Sequence, residues 1–355
     1  MNTDPQSNRK RIRVLIVDDS ALVRNILKQG LSMDPGIEVV GAAVDPYVAR
    51  DMIIKHRPDV LTLDVEMPRM DGVEFLRKLM PQYPLPVVMV SALTQRGKQI
   101  TLDALDAGAV DFVTKPGVDV ARGLSAMMME LRTKVKIAST ANVSHWKHTD
   151  QTPKAGVLYA TKALAESTDK VIAIGASTGG TEAIKNVITR FPATTPGMVI
   201  VQHMPAGFTK MFAERMNSLC AMEVKEAKNG DRVMPGRILI APGDFQMTVR
   251  RSGGIYQVDC KPGEKVCGHC PSVEVLMQSV SEHVGANAIG VMLTGMGHDG
   301  ADAMGAMRKA GARTLAQDEK TSVVFGMPKE AFKRGGAERL VPLNEIAPAV
   351  MGLLL

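Results

Sequence analysis

The stretch VIAIGASTGGTEAIKNVI, Val171 to Ile188, decides how the second half of this chain is read. An apolar run ends in a turn of small residues, and a helix-like pattern follows. That is the signature of a strand–turn–helix unit in a parallel sheet. The turn GASTGG, Gly175 to Gly180, admits three roles: a serine nucleophile on a tight elbow, a phosphate cradle, or a plain loop. A dinucleotide fingerprint needs glycine where Ser177 stands, and an acidic residue ending the next strand, which instead delivers His203. A P-loop needs lysine before the threonine, but Gly180 precedes Thr181. Both phosphate readings are therefore weak. Gly175-Ala-Ser177-Thr-Gly179 does fit G-x-S-x-G, the elbow that exposes a serine hydroxyl.

A serine needs a base to become a nucleophile. His203 ends the next apolar run in VIVQHMP, and Asp299 lies in LTGMGHDG, past an expected strand at Ile289 to Leu293. Nucleophile, base and orienting carboxylate are thus all expected at strand carboxyl ends, on one side of a sheet. His298 is a rival base and Asp302 a rival acid. His298 adjoins Asp299, and consecutive loop residues rarely face one site; Asp302 falls further along an expected helix. The order Ser, His, Asp differs from that of α/β-hydrolases, although triad geometry recurs on unrelated scaffolds.

The first half alternates in the same way. Strand-like runs begin at Val14, Ile37, Val60, Val87 and Asp111, with helical patterns between them. Five such units suit a flavodoxin-like doubly wound sheet. The strand ends are unusually polar: Asp18 and Asp19, Asp64, Ser91 and Lys115. Three converging carboxylates repel one another unless a hard cation such as Mg²⁺ sits among them. A lysine and a hydroxyl opposite suit the oxygens of a phosphoryl group. The expected fold is α/β throughout: a flavodoxin-like domain over 1–133, a Ser/Thr/His-rich linker over 134–168 holding Trp146, and a second doubly wound domain with a mostly parallel sheet over 169–355.

At 355 residues, two domains are the default expectation. Aromatics make up only 4% of the chain, against a stacking platform for single-stranded nucleic acid. A net charge of +6 admits an acidic partner and raises a DNA-binding regulator controlled by the first half as a rival. The second half, however, shows no helix-turn-helix pattern and no basic stripe, so no nucleic-acid partner is expected. Without an apolar leader or an 18-residue apolar run, a cytoplasmic protein with no membrane insertion is expected. Its four cysteines are then expected to be reduced. CGHC, Cys267 to Cys270, has the spacing of half a zinc site but lacks a second close pair.

VDDS, LDVEMPRMDG, VSA and TKP make the first half resemble a two-component receiver domain. The resemblance implies that Asp64 is the phospho-acceptor, that Asp18, Asp19, Asp64 and the Glu66 carbonyl bind Mg²⁺, and that Ser91 and Lys115 sense the phosphoryl group. GASTGG, VQHMP, IAPGD, PSVEVL and LTGMGHDG make nearly the whole chain similar to the protein-glutamate methylesterases of bacterial chemotaxis. That similarity implies a triad of Ser177, His203 and Asp299, an oxyanion donor at the Met296 N–H, and a shaping role for Thr178. It implies demethylation of glutamate γ-methyl esters, and deamidation of glutamines, on chemoreceptors, with a chemotaxis histidine kinase as phosphodonor and no cofactor for the hydrolysis itself. It further implies that the unphosphorylated receiver inhibits the esterase. Gln246 departs from the family's frequent histidine, which touches only substrate-contact detail. The residues alone reach a triad hydrolase with a phospho-switch; another ester or amide substrate remains the alternative.

Overall fold

The computed structural model describes residues 10–92, 94–116, 120–151 and 169–354, which fall into two compact units dividing after Gln151. In the first unit, β1 (Ile12–Val17), β2 (Ile37–Ala43), β3 (Val60–Asp64), β4 (Val87–Ser91) and β5 (Asp111–Thr114) form one parallel sheet in the order β2-β1-β3-β4-β5. This is the doubly wound order expected from the sequence. The central strands β3 and β4 are buried at every residue, as a sheet covered on both faces requires. The intervening helices are α1 (Ala21–Ser32), α2 (Pro46–His56), α3 (Gly72–Gln82), α4 (Gln95–Asp106) and α5 (Val120–Ala138). Side-chain caps start four of them, with Ser20, Asp45, Asp71 and Thr94 each accepting from a backbone N–H. Such a cap contributes about 1 kcal/mol.

The linker expected over 134–168 is corrected at its start. Helix α5 runs through Ala138, and a 3₁₀ turn follows over Ser144–Gln151. Lys134 sits inside α5 with its ammonium on Asp111 and Glu130. Trp146 is half-buried beside Met80 and Gly108; a Cβ on Gly108 would come within 3.1 Å of the indole. Burying that ring ties this stretch to the first unit. Residues 152–168 lie outside the described residues.

The second unit contains β6 (Val171–Ala176), β7 (Met198–Gln202), β8 (Glu223–Glu226), β9 (Arg232–Val233), β10 (Arg237–Ile240), β11 (Phe245–Ser252), β12 (Ile255–Pro262), β13 (Ala288–Met292), β14 (Arg313–Gln317) and β15 (Arg339–Val341). Its helices are α6 (Gly180–Ile188), α7 (Phe208–Leu219), α8 (Val273–His283), α9 (Ala301–Lys309), α10 (Met327–Lys333) and α11 (Leu343–Leu354). Seven strands form a wholly parallel sheet, β15-β14-β13-β6-β7-β10-β8. The chain starts in the middle at β6, builds outward through β7, and later returns to the other side of β6 with β13. The crevice between β6 and β13 is thus the topological switch point, where open α/β sheets bind ligands.

A second, antiparallel sheet, β11-β12-β9, is an addition to the expected parallel architecture. Its β11–β12 hairpin turns at Gly253–Gly254, both at positive φ. Met247, Val249 and Val258 from the hairpin join one buried cluster with Val199, Leu276 and Met277. The hairpin is thereby fixed against α8, and it delivers the segment after β12 to the ends of the parallel strands.

Candidate active site

Ser177 follows β6 directly and stands three residues before α6. The elbow is tight: Gly179 has φ +76°, and the Gly180 N–H donates to the Ser177 carbonyl at 2.7 Å. A Cβ on Gly180 would lie 2.7 Å from Ala176 Cβ as well as 2.0 Å from Gln202 Oε1, so a side chain there would force the elbow apart. The Gln202 amide donates to the Ser177 carbonyl at 2.9 Å, and the His203 N–H donates to Ala176 O at 3.1 Å. The ends of β6 and β7 are thus locked together, and Ser177 and His203 emerge side by side. From the other flank, Ser177 N–H donates to Thr294 O at 3.0 Å. Gly295 lies so close that a Cβ there would meet Ser177 Cβ at 2.8 Å.

His203 and Asp299 are joined directly, Nε2 to Oδ2 at 2.7 Å, with both side chains almost wholly buried. The contact assigns the N–H to Nε2 and leaves the Nδ1 lone pair as the basic site; Nδ1 is buried and has no partner. Asp299 also accepts from the Ser272 hydroxyl at 2.7 Å and from the N–H groups of Val273 at 2.8 Å and Glu274 at 3.0 Å. Its carboxylate therefore sits on the N-terminus of α8, where orphan N–H groups and the helix dipole favour a negative charge. Burial pushes the Asp299 carboxyl up, but the His203 contact and these donors outweigh it, and the group ends below its ordinary value.

The rivals stand elsewhere. His298 is exposed, and Asp302 is exposed and paired with Arg334 at 2.8 Å. Thr178 is buried, its carbonyl accepting from the Thr294 hydroxyl at 3.0 Å. Met296 stands 47% exposed on the loop that carries Gly295 and Asp299.

The family description CheB methylesterase matches residues 172–350, and the response regulator receiver description matches residues 14–126. A protein-glutamate methylesterase/protein-glutamine glutaminase of Syntrophotalea carbinolica is 71% identical over 97% of this chain and 98% of its own. The chain belongs to the CheB methylesterase family. The enzyme of the same description from Salmonella typhimurium is 51% identical over 96% of each chain. The crystal structure of the Thermotoga maritima CheB methylesterase catalytic domain is 36% identical, covers 52% of this chain and 98% of its own, and superposes with a TM-score of 0.51. This family chain therefore carries a receiver domain followed by a methylesterase domain, as its motifs led one to expect.

The receiver unit has its own cluster. Asp18 and Asp64 are buried and Asp19 is exposed, with carboxylate oxygens all within 4.8 Å of one another. Lys115 reaches Asp64 at 2.9 Å and Asp18 at 3.1 Å. Burial pushes the Asp64 carboxyl up to about 6; the Lys115 charge opposes this and the Asp18 charge adds to it. Burial also works against the charge on Lys115, but the two carboxylates outweigh it and raise its pKa. One lysine among three carboxylates leaves an excess of negative charge on hard oxygen donors, which fits Mg²⁺. The surrounding cleft is about 690 Å³ and is lined by Asp19, Asp64, Glu66, Arg69, Arg96 and Lys115 among others. Ser91 is fully buried, its hydroxyl on Gly97 O at 3.2 Å and accepting from Thr101 at 2.6 Å.

Three contacts at the esterase site were missed in the sequence. Ser272 holds the acid; a serine opening the apolar pattern of PSVEVL marks an N-cap, which was the available signal. His269, from CGHC, lies flat on His203, ring centroids 3.6 Å apart and 11° between planes. Burial, and next the charge of Asp299, push the neighbouring Cys267 thiol up. CGHC thus forms a turn over the His203–Asp299 pair. Gln246, expected to bear only on substrate contact, instead holds that turn through Glu264, His269 and Ser272.

Proposed function

We propose that this chain is a phosphorylation-regulated esterase that removes methyl groups from glutamate γ-methyl esters on chemoreceptors and deamidates glutamines there. The observation that carries this reading is the buried His203–Asp299 pair beside the Ser177 elbow, with Nδ1 of His203 left without a partner. Ser177 Oγ attacks the γ-carbonyl carbon while Nδ1 of His203 takes its proton. Asp299 holds Nε2–H and supports the imidazolium. The oxyanion is met by the N–H groups of Met296 and Thr178; one such donor supplies about 3 kcal/mol. The imidazolium then protonates the departing methanol, or ammonia from a glutamine, leaving an acyl-enzyme. Water, deprotonated by the same Nδ1, adds to that ester and releases the glutamate and Ser177.

On the receiver, Asp64 accepts the phosphoryl group from a chemotaxis histidine kinase. Asp18, Asp19, Asp64 and the Glu66 carbonyl would hold Mg²⁺, whose charge offsets that of the phosphoryl oxygens. Lys115 and Ser91 contact the phosphoryl group. For Ser91 this means giving up its bonds to Gly97 and Thr101, which loosens α4.

Methanol release from methylated receptor membranes, with and without a small phosphodonor, tests the reading. Ser177→Ala is expected to fall at least about a hundredfold, since triad members act as a unit. Asp64→Asn is expected to keep basal release and lose stimulation. Release by Ser177→Ala above about a tenth of wild type overturns the triad, and stimulation retained by Asp64→Asn overturns the switch.

A further inference from the structure

Gln246 is the second residue of β11, and its side chain turns toward the segment 264–272. Its Nε2 donates to Glu264 O at 2.8 Å and to His269 O at 3.3 Å. Its Oε1 accepts from the Ser272 N–H at 2.9 Å. Both donors and the acceptor of one amide are thus spent on one loop. Within that loop, Val266 and His269 exchange backbone hydrogen bonds of 3.0 and 2.9 Å across Cys267 and Gly268, which have φ +51° and +85°. Positive φ at both central positions is the signature of a type I′ turn. A non-glycine residue there costs on the order of 1 kcal/mol, which the surroundings must offset. The anchored residues are the ones that touch the catalytic pair. His269 stacks on the His203 ring, and Ser272 bonds the Asp299 carboxylate.

We propose that Gln246 is a positioning residue for the esterase, aligning base and acid together through His269 and Ser272. This rests on the triad reading above. Asp299 fixes the His203 ring at one atom only, and a side chain's terminal sp² torsion is otherwise broad. A flat ring lying against it supplies the second restraint and keeps Nδ1 aimed while the imidazole gains and loses a proton. Gln246 sets where that ring lies, and through the Ser272 backbone it also sets the hydroxyl that holds the acid. A neutral imidazole in place of Gln246 has one donor and one acceptor and cannot make all three contacts.

The test is kcat, KM and the pH profile of methanol release by the full chain with phosphodonor, on methylated receptor membranes. Gln246→Ala and His269→Ala are each expected to lower kcat about tenfold, because small misalignments at reacting atoms are costly. KM should stay within about twofold, and the acid limb of the profile should move, since the environment of His203 changes. His269→Phe, which keeps a flat ring, is expected to recover most of kcat. The double variant Gln246→Ala/His269→Ala should lose little more than either single, as both remove one restraint. Wild-type kcat and pH profile in Gln246→Ala and His269→Ala overturn the proposal, as do losses that multiply in the double variant. If Gln246→Ala does not fold, the His269→Ala and His269→Phe pair decides by the same criteria. Ser177→Ala run in parallel separates the two failures. If it stays active, the triad reading is wrong; if it is inactive while Gln246→Ala matches wild type, only the positioning role is wrong.

Discussion

Asp299 is an anion taken out of water and kept charged by four donors, from His203, Ser272, Val273 and Glu274. These donors hold its carboxyl below the ordinary aspartate value, so its contribution to stability is fully present above that ordinary value. The contribution is lost as pH falls through the lowered folded value. Asp299→Asn should therefore flatten the acid-side loss of stability of the second unit, read by denaturant unfolding from about pH 5 down to about pH 2. An unchanged acid slope would place the relevant carboxylate elsewhere. The same variant keeps the shape of the side chain but allows the wrong imidazole tautomer, and kcat should drop about 10²- to 10⁴-fold. Measured together, the two readouts separate the residue's catalytic role from its structural one.

At the scale of elements, the site is a meeting of three strand ends with two loops, and the loops leave little clearance. Gly295 faces Ser177 Cβ and the Met327 sulfur at distances no Cβ tolerates, 2.8 and 2.4 Å. Gly295→Ala should cost about 1–3 kcal/mol by overpacking and should lower kcat further than its stability loss explains, because Ser177 must shift. A variant with normal kcat and Tm would show that the loop yields freely. How far such elements were legible follows from burial. Strands β6, β7 and β13 are buried at every residue, so they read as continuous apolar runs, and Ser177, His203 and Asp299 follow at their ends. Edge strands β8 (EVKE) and β15 (RLV) are short and partly charged, and they carried no such signal. The β11–β12 hairpin does carry one, in the alternation of Phe245–Ser252 and in Gly253–Gly254. The roles of Gln246 and His269 arise only when the hairpin folds back onto strand ends distant in sequence.

The molecule as a whole is two units, each with its own parallel sheet, and no described helix is long and apolar enough to cross a membrane. All of the proposed esterase residues lie after residue 169, and all of the proposed phosphorylation residues lie before Gln151. The fragment 169–355 should therefore fold and release methanol without any response to phosphodonor. If the receiver inhibits, as the sequence resemblance implies, the fragment should also exceed the unphosphorylated full chain in kcat/KM. A folded fragment no faster than the resting chain would refute inhibition and favour activation by the phosphorylated receiver.

The strand order of the second unit also bears on how the enzyme comes into being. Neighbours β6 and β7 are close in sequence, but β13 inserts on the other side of β6 after more than a hundred intervening residues. Pairings between distant segments pay loop-closure entropy before they gain contacts, and they form late. Ser177 and His203 are therefore expected to come together in a partly folded chain that still lacks Asp299 and the Gly295 loop. A nascent or refolding molecule is therefore expected to hold part of its sheet before its catalytic acid, and pulse-labelled hydrogen exchange that protected β13 no later than β7 would refute this order.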